Sequence, residues 1–418
     1  MHINNYIGNK FEAFSFYSLI FFLFFDYIFA FTIYKSQIVI FFFMFLNMLT
    51  YVYCAVKYGT EKYSTVRLWS CYIVIHVLSL TINSNISTIP YWVVALIMLY
   101  VPNQIVRVFK PSIFIYIGLL FASGVFFQYL FPDLYYVFVF PLFIGDSSDF
   151  IESSIIYEFG FSGFTPQTTS TAYYLLICLS VALAFKDDQS FFKKKWVMNF
   201  IIIIFLLAIF LTGKRMASVI SVLLILACVF FSRRTNLSRK VLIFIVLIIV
   251  GYFLLQYFIT NTDQFSDSAF LKRFAGSIEK ASAGDDISSG RDILYERAWA
   301  LWNREPILGI GANNYSKISG METSVHNTYL QVLCEEGLLR FPLFIMPLII
   351  VFFRTIILLL KETSETNNYL MLSFLFQIVF ILYSFSGNTI VNYNNFVFYF
   401  MGVGLLAYVY HNEQNHNI

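Results

Sequence analysis

Residues 196–231 read WVMNFIIIIFLLAIFLTGKRMASVISVLLILACVFF. Two apolar runs, 197–212 and 216–232, are joined by a turn that holds Lys214 and Arg215. Neither run leaves a polar face for water, so both read as spans of lipid rather than as helices on a soluble core. Similar runs continue outward in both directions. Before this pair they centre on 12–33, 37–56, 67–86, 88–105, 111–131 and 168–185; after it, on 241–258, 341–360, 370–386 and 395–411. The sequence therefore predicts an all-α, polytopic helical membrane protein with about twelve transmembrane helices, give or take one.

Composition agrees. Of 418 residues, 59% are hydrophobic and 12% charged, and 51 are phenylalanine. A soluble chain carries roughly 25% charged residues, and a mean hydropathy of +0.73 exceeds what one buried core could hide. A net charge of +3 argues against nucleic acid as a partner. The cysteines at 54, 71, 178, 228 and 334 have no metal or disulfide spacing; Cys334 is expected outside the hydrocarbon and no structural disulfide is expected. No cleavable signal is read at the N-terminus, so the first run is expected to remain a span.

Basic residues set the orientation. Lys57/Lys62/Arg67, Arg107/Lys110, Lys186 with Lys193–Lys195, and Arg233/Arg234/Arg239/Lys240 fall in alternate short loops, which predicts that these loops and both termini are cytoplasmic. The loop 132–167 carries Asp133, Asp146, Asp149, Glu152 and Glu158 without a Lys or Arg, as expected of the opposite side. Residues 259–340 form one large external loop with eight basic and eleven acidic side chains, and loops of such length are exempt from the charge bias. The predicted organisation is transmembrane helices 1–9 in 1–258, a periplasmic loop with short helices and the catalytic motifs in 259–340, and helices 10–12 in 341–418. A long structured loop is usually functional.

Within the loop, SSGRDILYERAWALWNREP (288–306) predicts a helix capped by Ser289 and closed by Pro306. Helical spacing puts Arg291 with Tyr295, Ala298 and Trp302, and Arg297 with Glu296, Asn303 and Arg304 on the opposite, solvated side. Arg291 either snorkels over the aromatic surface or aims its guanidinium into a site. PILGIGANNY (306–315) follows, where Gly309 and Gly311 permit a tight turn, most simply a plain loop. SVHNTYLQVLCEEGLLRFP (324–342) places His326 in the first turn of a helix, with Asn327, Tyr329 and Gln331 after it. There the helix dipole keeps imidazole neutral and available. Glu335 and Glu336 read as solvated carboxylates or as bases.

Lys214 and Arg215 break the charge bias, because they occupy a very short external turn. They either meet lipid headgroups nonspecifically or clamp a diphosphate. Asp26 and His76 are ionisable groups inside spans, with no partner identifiable from sequence.

Taken in order and spacing, TGKR, the SGR…W helix leading into PILGIG, and HNTYLQVL..EGLL resemble the signature of the bacterial O-antigen ligase and Wzy-type polymerase superfamily, over roughly 205–345. Lys214 stands where many members have serine, and Arg340 where a second small glycine often follows. The resemblance implies a multi-pass glycosyltransferase of the bacterial inner membrane, working at its periplasmic face on glycans linked to undecaprenyl diphosphate. It assigns Arg215, Arg291 and His326 as catalytic and pairs Asn327 with His326; Lys214, Tyr295, Trp302 and Glu335, which lie beside these residues in the turn and the loop helices, are taken with Asn327 as candidate substrate-binding residues. It implies no metal and no cofactor. Its implied partners are the lipid-linked glycans, membrane lipid and a chain-length regulator protein.

Within that superfamily the Phe/Tyr/Ile/Asn-rich composition favours a polymerase that joins repeat units, with inversion at the anomeric carbon. The alternative is a ligase that moves the finished chain to lipid A core. A polysaccharide-lipid flippase or other transporter fits less well: no internal repeat is found, and charge concentrates in one external loop rather than at the bilayer midplane.

Overall fold

A computed structural model of the chain describes residues 2–58, 64–83, 85, 88–100, 108–145, 148–149, 151–152, 160–188, 195–231, 238, 240–242, 245, 291–321, 323–361 and 367–416. In chain order the long helices are α1 (His2–Phe25), α2 (Gln37–Tyr58), α3 (Ser64–Ile82), α4 (Ile89–Tyr100), α5 (Pro111–Leu130), α6 (Thr168–Ala184), α7 (Lys195–Leu211), α8 (Arg215–Phe231), α9 (Arg291–Arg304), α10 (Thr328–Lys361), α11 (Asn367–Tyr383) and α12 (Tyr393–His416). Short helices Tyr27–Phe31, Pro132–Phe138 and Tyr315–Ser319 lie between them. The fold is all-helical among the described residues, and most of the long helices overlap the apolar runs, although the run 12–33 is divided at Asp26 between α1, which starts ten residues earlier, and the short helix Tyr27–Phe31. The run 241–258 lies almost wholly outside the described residues, as does Ser289.

By length and composition α5 and α10 can each cross a bilayer, and α6, α7 and α8 are shorter apolar helices of 17 residues each. Helix α10 is longer than its apolar run because it starts in the polar stretch that follows His326.

The chain divides into two compact units. In the unit made of Met1–Ala30, Lys35–Lys110 and Gly290–Ile418, α12 packs along α11 and α4, and α10 packs on α3. Trp69 centres an aromatic knot with Tyr72, Phe344, Tyr399 and Phe400, ring centroids 4.9–6.0 Å apart and all edge-on. Such edge-to-face contacts set the positive ring edge against the negative ring face and fill the space between helices with flat rings. Both ionisable groups that the sequence left without partners acquire them here. Asp26, in the break after α1, accepts from Asn394 Nδ2 at 3.0 Å, and His76 meets Glu336 of α10.

The second unit is Phe31–Tyr34 with Pro111–Ser289. Helix α5 packs on α6 and α7 at Gly118, where an added Cβ would come within 2.5 Å of Phe205 and 2.7 Å of Cys178. Small residues at such crossings are what let apolar helices approach when lipid competes for every side chain.

Candidate functional site

Helix α9 is amphipathic as its spacing predicts. Ala298 and Leu301 are buried with Tyr315, Val325 and Cys334, and Tyr295, Trp302, Ile310, Met321 and Leu330 pack against them. Cys334 is thus a core residue of this cluster. Tyr295 and Trp302 serve as packing here; the Trp302 indole N–H is buried and has no hydrogen-bond partner among the described residues. Trp299 is the more exposed tryptophan, at 50%, with its ring 4.7 Å from that of Trp302. Arg297 departs from the solvated side expected for it, since its Nε donates to the Ser319 carbonyl at 3.2 Å.

The PILGIG turn is more than a plain loop. Helix α10 breaks at Gly337, which has φ 65° and ψ −177°, and the turn is stitched into that break. Ile310 N–H donates to Cys334 O (3.1 Å) and Gly311 N–H to Glu335 O (2.8 Å); in return Leu338 N–H donates to Pro306 O (2.8 Å) and Leu339 N–H to Ile307 O (3.0 Å). Backbone groups freed by the break are therefore satisfied by the loop, the condition on which irregular backbone is tolerated beside a membrane. Gly309 is required at φ 69°, because a Cβ there would lie 2.5 Å from the Glu335 carbonyl. Arg340 completes the seam, donating from Nη2 to Leu308 O at 2.7 Å.

Glu335 and Glu336 are buried at 5% and 1%, which corrects the expectation of solvated carboxylates. Glu335 Oε2 accepts from Asn313 N–H (2.8 Å), and its Oε1 accepts from Tyr315 N–H (3.1 Å) and Gln331 Nε2 (3.2 Å). A carboxylate in this position caps the short helix Tyr315–Ser319 and ties loop to helix. Burial raises the Tyr315 hydroxyl above its ordinary pKa, and that hydroxyl donates to Leu294 O at 2.9 Å. Glu336 turns the other way, accepting from Tyr72 OH at 3.1 Å and meeting His76 Nδ1, while its Oε2 is buried without a partner. From α3, Ser79 Oγ accepts from Ala312 N–H (3.2 Å), and Asn85, just beyond that helix, donates to Ala312 O (2.9 Å).

His326 stands just before α10, not in its first turn. The helix is capped by Asn327, whose Oδ1 accepts from Leu330 N–H at 3.1 Å, and His326 takes the left-handed conformation, φ 59°. A side chain with a Cβ is rarely found there, and such strain persists only where the surroundings hold it. The holder is the turn 384–389 between α11 and α12. Asn388 Oδ1 accepts from His326 N–H at 2.7 Å, Asn388 Nδ2 donates to Ser324 Oγ at 2.6 Å, and Nδ2 lies 3.4 Å from His326 Nδ1. Thr328 Oγ1 donates to Gly387 O at 2.9 Å. Arg291 reaches the same turn, its Nη1 donating to Ser386 O at 3.2 Å. Residues 35 positions apart in sequence are thus docked on carbonyl and amide groups two residues apart. Sequence reasoning missed Asn388 and Ser386; the polar, glycine-containing SFSGNT stretch between two spans was the available signal.

A groove of about 760 Å³ runs along α10, lined by Trp299, Asn327 and Tyr329 at one end and by Phe341, Ile345 and Phe352 further along. Its wall is almost wholly apolar; Asn327, the residue after His326, is the amide side chain that lines it.

Lys214 and Arg215 belong to the other unit. Thr212 and Gly213 (φ 69°) form the turn, which packs so closely on Gly160 that a Cβ there would meet Thr212 O at 2.1 Å. Ser218 N–H donates to Lys214 O at 3.1 Å, so Lys214 caps α8 and Arg215 opens it, both half-buried. The helix dipole opposes cations at this end, an arrangement that an anion would favour.

These features define, among the described residues, an all-helical protein rich in apolar helices, with a helix and turn docked on the break in α10 and an apolar groove beside it. Residues 200–345 match the family model described as O-antigen ligase; this stretch carries that domain, and with it the superfamily that the motifs resemble. All eight candidate residues fall within the match. No curated protein matches the chain. The domain's family is one of membrane proteins with glycosyltransferase-type activity on lipid-linked glycans.

Proposed function

We propose that this protein is a surface-polysaccharide polymerase that joins oligosaccharide repeat units carried on undecaprenyl diphosphate, at the periplasmic face of the inner membrane. The observation that carries the reading is the convergence of Arg291 and His326 on the turn 384–389, close to an apolar groove whose lining suits a polyprenyl chain. In this reading twelve spans hold the large loop on the periplasmic side, with both termini in the cytoplasm.

The acceptor hydroxyl oxygen attacks the anomeric carbon of the donor sugar while the bond from that carbon to the diphosphate oxygen breaks. Attack opposite the leaving group inverts the anomeric centre. The hydroxyl proton passes to His326, acting as general base, and the electron pair of the broken bond stays on the lipid diphosphate. Arg291 neutralises that developing charge, with Arg215 and Lys214 assigned the same task from the motif. Guanidinium groups supply the charge that a metal would otherwise provide. Asn327 contacts substrate at the groove, and Tyr295 and Trp302 support that contact through the packing of α9. Glu335 acts by holding the 312–315 loop. A chain-length regulator is the proposed protein partner.

The description of the matched family favours a second reading, a ligase that transfers finished polymer to lipid A core. Purified protein in proteoliposomes, supplied with lipid-diphosphate-linked repeat units alone, separates the two: a polymerase yields a ladder of lengthened lipid-linked chains. A ligase yields product only when lipid A core is added.

A further inference from the structure

Pro306–Leu308 presents its side chains outward. Ile307, Leu308, Leu338 and Leu339 are each more than half exposed, and they form one patch, because the loop is hydrogen-bonded edge-on to α10 at Leu338 and Leu339. Four bulky apolar side chains on an external loop would be costly in water.

The patch does not stand alone. Along α10 the exposed positions run Leu339, Pro342, Met346, Ile349, Phe353, Ile357 and Leu360, steps of three and four that mark a single face of a helix. From Leu339 to Leu360 this face is about 31 Å long at 1.5 Å per residue, close to the roughly 30 Å thickness of a bilayer's hydrocarbon. Arg354 lies on the exposed side too, with a stem long enough to snorkel toward the Lys361 end. The other end of the hydrocarbon then falls at Leu338 and Leu339, and the loop sealed to them shares their depth.

We propose that Pro306–Leu308 is a re-entrant, lipid-contacting element, with Ile307 and Leu308 immersed among phospholipid acyl chains at the membrane boundary. The loop can sit there because its polar backbone is already satisfied: Pro306 and Ile307 carbonyls accept from the α10 break, and the Leu308 carbonyl accepts from Arg340. Arg340, at the same level, has its guanidinium placed where lipid headgroups begin. The inference concerns the membrane contact alone and holds for either transfer reaction.

The test uses Ile307→Cys, Leu308→Cys and, on the exposed side of the Tyr315–Ser319 helix, Ser316→Cys. Native cysteines stay in place, and modified sites are located by peptide mass. Membrane fragments open on both faces are treated with a charged maleimide. The Ser316→Cys thiol is expected to react at least tenfold faster than those at 307 and 308. Equal rates would overturn the proposal. Bimane attached through Leu308→Cys should then be quenched by spin labels carried on phospholipid chains. Shielding from the maleimide without lipid-borne quenching would mean that protein covers the patch, which also overturns the proposal.

Discussion

Replacing Asn388 with alanine should disable His326 without touching it. The Asn388 side chain accepts the His326 backbone N–H at 2.7 Å and braces Ser324 at 2.6 Å. Truncation strands a half-buried backbone donor, at about 1–3 kcal/mol, and removes a second bond with a net value near 1 kcal/mol. It also frees His326 from a left-handed conformation that costs a non-glycine residue about 1–2 kcal/mol, so relaxation away from the site is downhill. Two of these contributions acting on ring placement correspond to about 2–4 kcal/mol, a fall of roughly 30–1,000-fold in turnover. The assay is chain elongation in proteoliposomes, with thermal unfolding in detergent to confirm that the fold is retained. Because Asn388 acts through His326, the Asn388→Ala/His326→Ala pair should be no slower than His326→Ala alone. Activity of Asn388→Ala within threefold of wild type, or additive losses in the double variant, would refute the reasoning.

Gly309→Ala should abolish folding or lower the unfolding temperature steeply, because its Cβ meets the Glu335 carbonyl at 2.5 Å. Gly320→Ala, at a similar φ of 72° but with nothing within 4 Å, should cost only about 1 kcal/mol, and thermal unfolding of the two side by side checks the contrast. Glu336→Ala strands His76 and Tyr72 in the interior and is expected to destabilise by about 3–5 kcal/mol, whereas joint replacement of His76 and Glu336 by leucine should recover much of that loss. Arg291→Lys keeps the charge but loses the planar fork; turnover at saturating donor should drop at least tenfold while expression stays normal, which quantitative immunoblotting and the elongation assay together measure.

Much of the helical layout was legible because lipid-compatible runs need no tertiary context: α5 at 111–130 and α8 at 215–231 lie within a residue or two of their apolar stretches. The amphipathic reading of α9 also survives, since helical spacing alone sends Ala298 inward. What one dimension hides is reciprocity. Glu335 and Glu336 look solvated beside a glycine, yet adjacent helical positions point 100° apart, and each meets a different distant segment, 312–315 on one side and α3 on the other. The Gly309–Gly311 turn looked ordinary because its reason, the break at Gly337, lies 26 residues later. His326 reads as part of the first helical turn but stands just before the Asn327 cap, since a left-handed residue held by Asn388 has no local signal.

The most direct test of the polymerase reading is a lipopolysaccharide gel from a strain lacking this gene, complemented with wild type, His326→Ala or Arg215→Ala at matched expression. The account predicts core bearing a single repeat in the deletion strain, a full ladder restored by wild type, and no ladder with either variant. Bare core with polymer accumulating on undecaprenyl diphosphate would contradict it in favour of a ligase, and a full ladder from His326→Ala would remove that residue from the chemistry.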